Sequence, residues 1–192
     1  MPDPIYVLRT LRSSQQRLAA LVNSFEATEL ERPSYDDDWS IADVLSHLGS
    51  QAEIFLIFID AGLGGTEPPS NESFGPIWEA WNAKSSGAKA ADSLAADTAL
   101  LERIEAFSDD QLAHFELSIF GMEVDAAGLL GMRLSEHALH SWDVAVVFDH
   151  EALLAPDATE LLVDGLGVLA SRAGKPEVEH QSISVIASSP AR

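Results

Sequence analysis

Arg133-Leu-Ser-Glu136-His-Ala-Leu-His140-Ser-Trp142-Asp143 lies inside the most regular helical pattern of the chain, and it is where the polar chemistry collects. At about 100° per residue, Glu136 and His140 share one helix face. Leu129, Met132, Asp143 and Val147 project within roughly 40° of Glu136 on the same wheel. A carboxyl and an imidazole therefore sit in a stripe whose other members are mostly apolar. If that stripe faces a core, Glu136 cannot stay charged there without a partner. A metal ion suits a carboxylate and an imidazole one turn apart. A third ligand has to come from another helix, and His47 is the candidate. Alone, the pair is a weak signal, because i, i+4 residues commonly make a plain side-chain contact.

Working outward, residues 124–148 read as the helix that carries this stretch. Upstream, residues 5–30 form a first helix through Ile5, Leu8, Leu11, Leu18, Val22 and Phe25. Residues 40–60 form a second, with Ser40 as N-cap and Asp43 in the acidic place of a capping box. Its apolar stripe is broad, as expected of a helix covered on two sides in a bundle. His47 lies on the flank of that stripe, in line with Gln51, Ile54 and Phe58. Residues 61–75 are rich in Gly, Pro and Ser and read as a long loop, either a lid over a site or a plain surface connection. A short helix follows at Ile77 to Asn82, Gly87 interrupts, and Ala90 to Phe107 form a third long helix. Phe115 to Phe120 are extended, with Gly121 at a turn. Pro156 opens a fifth helix running to about Ala173, and Ile183 to Ile186 have the look of a single short strand.

The chain has 192 residues, 46% of them hydrophobic, enough for one domain with a real core. Its formal charge of −20 disfavours nucleic acid and anionic membrane as partners, since both need cationic surface. The absence of cysteine removes disulfides, a protein thiol nucleophile and thiolate ligands, so any sulfur chemistry must use a thiol brought from outside. The N-terminus has no apolar core of a signal peptide, and the run Ile54 to Ile59 is too short to span a bilayer. A cytoplasmic location is the expectation. His114, His137, His150 and His180 read as surface or loop positions, and Trp142 as packing.

Trp39-Ser-Ile-Ala-Asp43-Val-Leu-Ser-His47-Leu, followed by Arg133-x-x-Glu136-x-x-x-His140-x-Trp142-Asp143, resembles the metal-binding domain of mycothiol-dependent maleylpyruvate isomerases. That domain belongs to the wider DinB-like superfamily. The resemblance covers roughly residues 5–173. It implies an all-α, up-down four-helix bundle with an additional C-terminal helix, the bundle taking residues 1–175. Residues 176–192 are then a tail, either the natural end of a short protein or the start of the further C-terminal domain that family isomerases carry.

The resemblance further implies a divalent metal, with zinc favoured, held by His47, Glu136 and His140; nickel, iron or manganese would also suit these ligands. It implies a cofactor thiol, mycothiol or another low-molecular-weight thiol, activated at the metal's open positions. The thiolate would add to an electrophilic small molecule. For a cis enone, addition, rotation and elimination give the trans isomer, whereas a thiol S-transferase stops at the adduct. Asp143, and less so Asp43, would hold the far ring nitrogen of a ligand histidine. Arg133 would pair with Glu136 or with an anionic substrate. A monomer or homodimer is expected. Two rivals are a non-catalytic metal-binding or regulatory bundle and a metal-dependent hydrolase using water in place of thiol.

Overall fold

The computed structural model describes residues 2–36, 38–119 and 121–167. Residues 1–162 form one compact unit. Within it four long helices make the frame: α1 (Pro4–Val22), α2 (Ile41–Gly64), α4 (Ser86–Glu105) and α6 (Ala126–Ala145). Shorter pieces are α3 (Gly75–Asn82), α5 (Asp109–His114), the hairpin β1 (Glu116–Ile119) and β2 (Met122–Asp125), and α7 (Pro156–Leu162). Residues 163–192 form a separate unit, of which a 3-10 turn at Val163–Gly165 is described. The expected strand at Ile183 to Ile186 and the tail from residue 176 lie outside the described residues.

Each long helix packs mainly on two others: α1 and α2 both lie against α4 and α6, at opposite corners of the bundle. Lys89 pairs with Asp43 at the start of α4 and α2, and Arg103 with Asp60 near their ends, so these two helices run parallel. Arg12 pairs with Glu105 and Gln15 with Thr98, so α1 and α4 are antiparallel. The bundle order is therefore up, down, down, up, a refinement of simple alternation. Parallel neighbours need a connection that runs back the whole helix length, about 36 Å for 24 residues. That is the task of the Gly/Pro/Ser-rich segment, which begins at the end of α2 far from His47. The segment thus serves as the crossover between two parallel helices, and its far end, at Asn82, returns to Ser46. The return path contains a 3-10 turn at Asn71–Phe74 and α3, whose Trp81 ring sits against Gly49.

Several element ends differ from the expected ones for identifiable reasons. α1 stops at Val22, and Asn23 and the turns after it bring Leu30 back into the core. α2 starts where expected, because Ser40 and Asp43 form a full capping box, but it continues to Gly64 and ends on Gly65 at φ 61°. α4 begins at Ser86, capped by Ser85, so Gly87 sits in its first turn and interrupts nothing. The segment before α6 is a hairpin, Glu116 opposite Asp125, with Gly121 at φ 74°. α7 gives way at Leu162 to the 3-10 turn Val163–Gly165, and residues 168–173 of the expected fifth helix lie outside the described residues.

The core runs along the bundle axis. Ile41, Val44, Leu45, Leu48, Ala52 and Ile59 of α2 have no measurable exposure. α2 is long and apolar enough to cross a membrane by length and composition, but 67% of its most apolar window is buried within the protein. Its hydrophobicity is accounted for by three neighbours: α4, α6 and α3.

Candidate metal centre

α2 and α6 run antiparallel and in contact, and this brings His47 to Glu136 and His140. His47 Nε2 lies 3.0 Å from Glu136 Oε2, and His140 Nε2 lies 3.7 Å from the same oxygen. The two imidazole centroids are 4.7 Å apart, with planes at 71°. One donor atom from each of the three residues lies within 4.8 Å of the others. Ligands about 2.0–2.1 Å from a tetrahedral zinc ion stand roughly 3.3 Å from one another, so small side-chain rotations suffice to close the set. The residues are half-buried, with side-chain exposures of 23% for His47, 40% for Glu136 and 21% for His140, which leaves one side of the cluster open.

Asp143 fixes the His140 ring. Its Oδ2 lies 2.8 Å from His140 Nδ1, one turn along α6. With Nδ1–H donating to the carboxylate, Nε2 carries the free lone pair and faces Glu136 and His47. Trp39 forms the wall of the cluster, its ring 5.1 Å from His47 and 6.0 Å from His140 between centroids. Trp39 comes from the loop before α2. The Tyr35 backbone N–H ties that loop to α6 by donating to the Asp143 carbonyl at 3.2 Å.

The hydrogen bond from His47 holds the Glu136 carboxyl below the usual carboxylate range. Burial opposes this, and the fields of His47, His140 and Arg133 reinforce it. An anionic oxygen facing two imidazole nitrogens suits either a proton donated by an imidazole or a cation held between them. Two neutral imidazoles and one carboxylate are a donor set that fits a divalent ion and leaves coordination positions free.

Other residues singled out in the sequence lie elsewhere. Asp43 is engaged at the helix cap: its Oδ2 accepts from the Ser40 N–H and hydroxyl, and its Oδ1 meets Lys89 Nζ at 2.7 Å. Trp142 packs as expected, edge-on to Tyr35, and its Nε1–H donates to the Ala152 carbonyl at 2.8 Å. Arg133 pairs neither with Glu136 nor with anything at the open side. It is buried, with 1% exposure; its guanidinium donates to Asp97 of α4 and, at 3.0 Å, to the carbonyl of Leu48. His137 is fully buried, not a surface position, with Nδ1 2.9 Å from Ser14 Oγ and Nε2 3.2 Å from Asp97 Oδ2. One signal was readable: Asp97 shares helical spacing with Ala90, Ser93, Leu100, Leu101 and Ile104 on the buried face of α4.

A family model described as the mycothiol maleylpyruvate isomerase N-terminal domain matches residues 11–145, well over half of the chain. The chain belongs to that family. Two solved structures share the fold, each with a TM-score of 0.71, covering 86% of this chain and 70% of theirs. One is a crystal structure of the mycothiol-dependent maleylpyruvate isomerase, 17% identical in sequence. The other is a His-to-Ala mutant of that isomerase, at 16% identity. No curated protein matches the chain. The family match ends at Ala145, the last residue of α6, and so takes in all three members of the His/Glu cluster.

Proposed function

We propose that this member of the family is a metal- and thiol-dependent enzyme, an isomerase or a related thiol S-transferase acting on a small electrophile. The observation that carries the reading is the meeting of His47 Nε2, Glu136 Oε2 and His140 Nε2 at one partly open point. His47, Glu136 and His140 would hold a divalent cation, zinc being favoured. Bound there, the cation would supply charge that stabilises the thiolate form of a small thiol such as mycothiol.

The chain's own groups do the rest. Asp143 keeps His140 in the tautomer that presents Nε2. Glu136 contributes one negative charge, so the centre stays net positive and able to favour an anionic sulfur. Trp39 shields both imidazoles from water on one side. The thiolate carbon–sulfur bond forms as the double bond of the acceptor shifts its electrons onto the conjugated carbonyl. If the reaction returns along that path after rotation, the bond to sulfur breaks, the double bond re-forms trans, and the thiol is regenerated. If the carbanion is protonated instead, the adduct is the product. Small-molecule thiol and electrophile are then the partners, and a cytoplasmic setting suits such a pair.

The test combines elemental analysis with turnover. Purified protein should carry zinc or another divalent metal, and Glu136→Ala and His140→Ala should each lose it. Turnover of a cis-enone acid should require added thiol. Unchanged metal stoichiometry in both variants overturns the proposal, and turnover without any thiol favours the hydrolase in its place.

A further inference from the structure

Five groups from all four long helices meet on the inner side of α6, behind the His47/Glu136/His140 cluster: Ser14, the Leu48 carbonyl, Asp97, Arg133 and His137. Their side chains are 0–3% exposed. The guanidinium of Arg133 also stands 5.8 Å from the centroid of the Phe55 ring. The cluster is not well satisfied. Asp97 Oδ2, Arg133 Nε and Nη1, and His137 Nε2 are buried without a hydrogen-bond partner among the described residues.

Stability does not explain such an arrangement. Replacing a buried ion pair by apolar side chains of similar volume is often neutral or stabilising. What the cluster does supply is a fixed register between α2 and α6. Arg133 grips the carbonyl of Leu48, the residue after His47, and it stands one turn before Glu136 on α6. His137, the residue after Glu136, is hydrogen-bonded through Nδ1 to Ser14, and its Nε2 stands 3.2 Å from Asp97 Oδ2, within ion-pair reach. Both helices are thus anchored within one residue of a member of the His/Glu cluster. Apolar packing alone tolerates small slides and rotations, whereas directional bonds to a backbone carbonyl and a carboxylate do not.

We infer that Asp97, Arg133 and His137 are positioning residues for the metal centre, holding His47 at the right distance from Glu136 and His140. The inference rests on the reading of that cluster as a metal site. It predicts that affinity and fold stability separate when the network is replaced.

The test uses the full chain in the triple variant Asp97→Leu/Arg133→Met/His137→Leu, together with Arg133→Lys. The probes are cobalt(II), followed by its absorption spectrum, and zinc by competition. The triple variant should fold with a thermal midpoint at or above wild type while binding zinc about 10- to 100-fold more weakly, the usual cost of losing the partners around a metal ligand. Arg133→Lys keeps the charge, but its ammonium sits about one bond short of Nη2, the one atom that donates both to Asp97 and to the Leu48 carbonyl, and should weaken zinc binding in the same direction. Ile104→Val, a core change at the far end of α4, is the control: it lowers the midpoint and leaves zinc affinity unchanged. Zinc affinity within about twofold of wild type in folded Arg133→Lys, or in the folded triple variant, overturns the inference.

The metal-free protein gives an independent readout. The ring-nitrogen NMR signals of His47 report its hydrogen bond to Glu136, and they should move toward free imidazole in Arg133→Lys. If wild type binds no metal, the metal reading fails, while unmoved His47 signals in that variant overturn the positioning role by itself.

Discussion

Asp143 decides which nitrogen of His140 is free. Its Oδ2 lies 2.8 Å from Nδ1, and a carboxylate there makes the imidazole a better electron donor through Nε2. Replacing it with Asn keeps the size but removes the charge and allows the ring to turn. Asp143→Asn should therefore weaken zinc binding by about 10- to 100-fold with little change in thermal midpoint. Competition with a chelator of known affinity measures it, and an unchanged constant would remove Asp143 from the site. This residue was legible in the sequence because it lies in line with Glu136 and His140 on one helical wheel. Arg133 and His137 were not. Their residue types signal surface, and only a partner on another helix makes burial tolerable. That partner, Asp97, lies 36 positions from Arg133, a separation that no local pattern reports.

At the scale of elements, α2 is the piece on which the others are assembled, and its contact with α3 leaves no room for a side chain at Gly49. A Cβ placed on Gly49 would stand 2.2 Å from the Trp81 ring, closer than real contacts allow. The indole is 2% exposed, and Lys84 Nζ stands 3.4 Å from its ring centroid, so the ring is closely packed. Gly49→Ala should cost about 1–3 kcal/mol through overpacking, although the same change on an exposed helix surface would stabilise by up to about 1 kcal/mol. Chemical denaturation gives the sign directly, and a more stable Gly49→Ala protein would mean that α3 does not seat here. The helices themselves were readable from apolar spacing, and the start of α2 from its capping box. The ends were not, because the turns after Val22 and the run of α2 on to Gly64 depend on packing against neighbours. Nor was the parallel course of α2 and α4 readable. Periodicity says which face is buried and nothing about which way a helix points.

At the scale of the whole molecule, the Asp97 network makes stability depend on pH in a way that can be separated from the metal centre. Burial by itself would raise the Asp97 carboxyl, but Arg133 and His137 more than offset it, and the group ends below its ordinary value of 3.8. A carboxylate depressed in the native state contributes its full stabilisation above the unfolded value. It loses that contribution as pH falls through the lower native value. For Asp97 the contribution is therefore constant through neutral pH and disappears only in acid, below about pH 4. Asp97→Asn abolishes the charge at every pH and leaves Arg133 buried without its counter-ion, a loss of about 3–5 kcal/mol near neutrality. As the medium is acidified, wild type protonates the same oxygen and its advantage shrinks. Glu136 is depressed too, but it is present in both proteins and cancels in the difference. Denaturant unfolding of the metal-free wild type and Asp97→Asn should thus give two curves whose separation shrinks as pH falls below about 4. A gap that stays constant into strong acid would mean that Asp97 is not an anion in the folded bundle. In that case the link between α4 and α6 would be an ordinary neutral hydrogen bond, and the register of α6 against α2 would have to come from apolar packing alone.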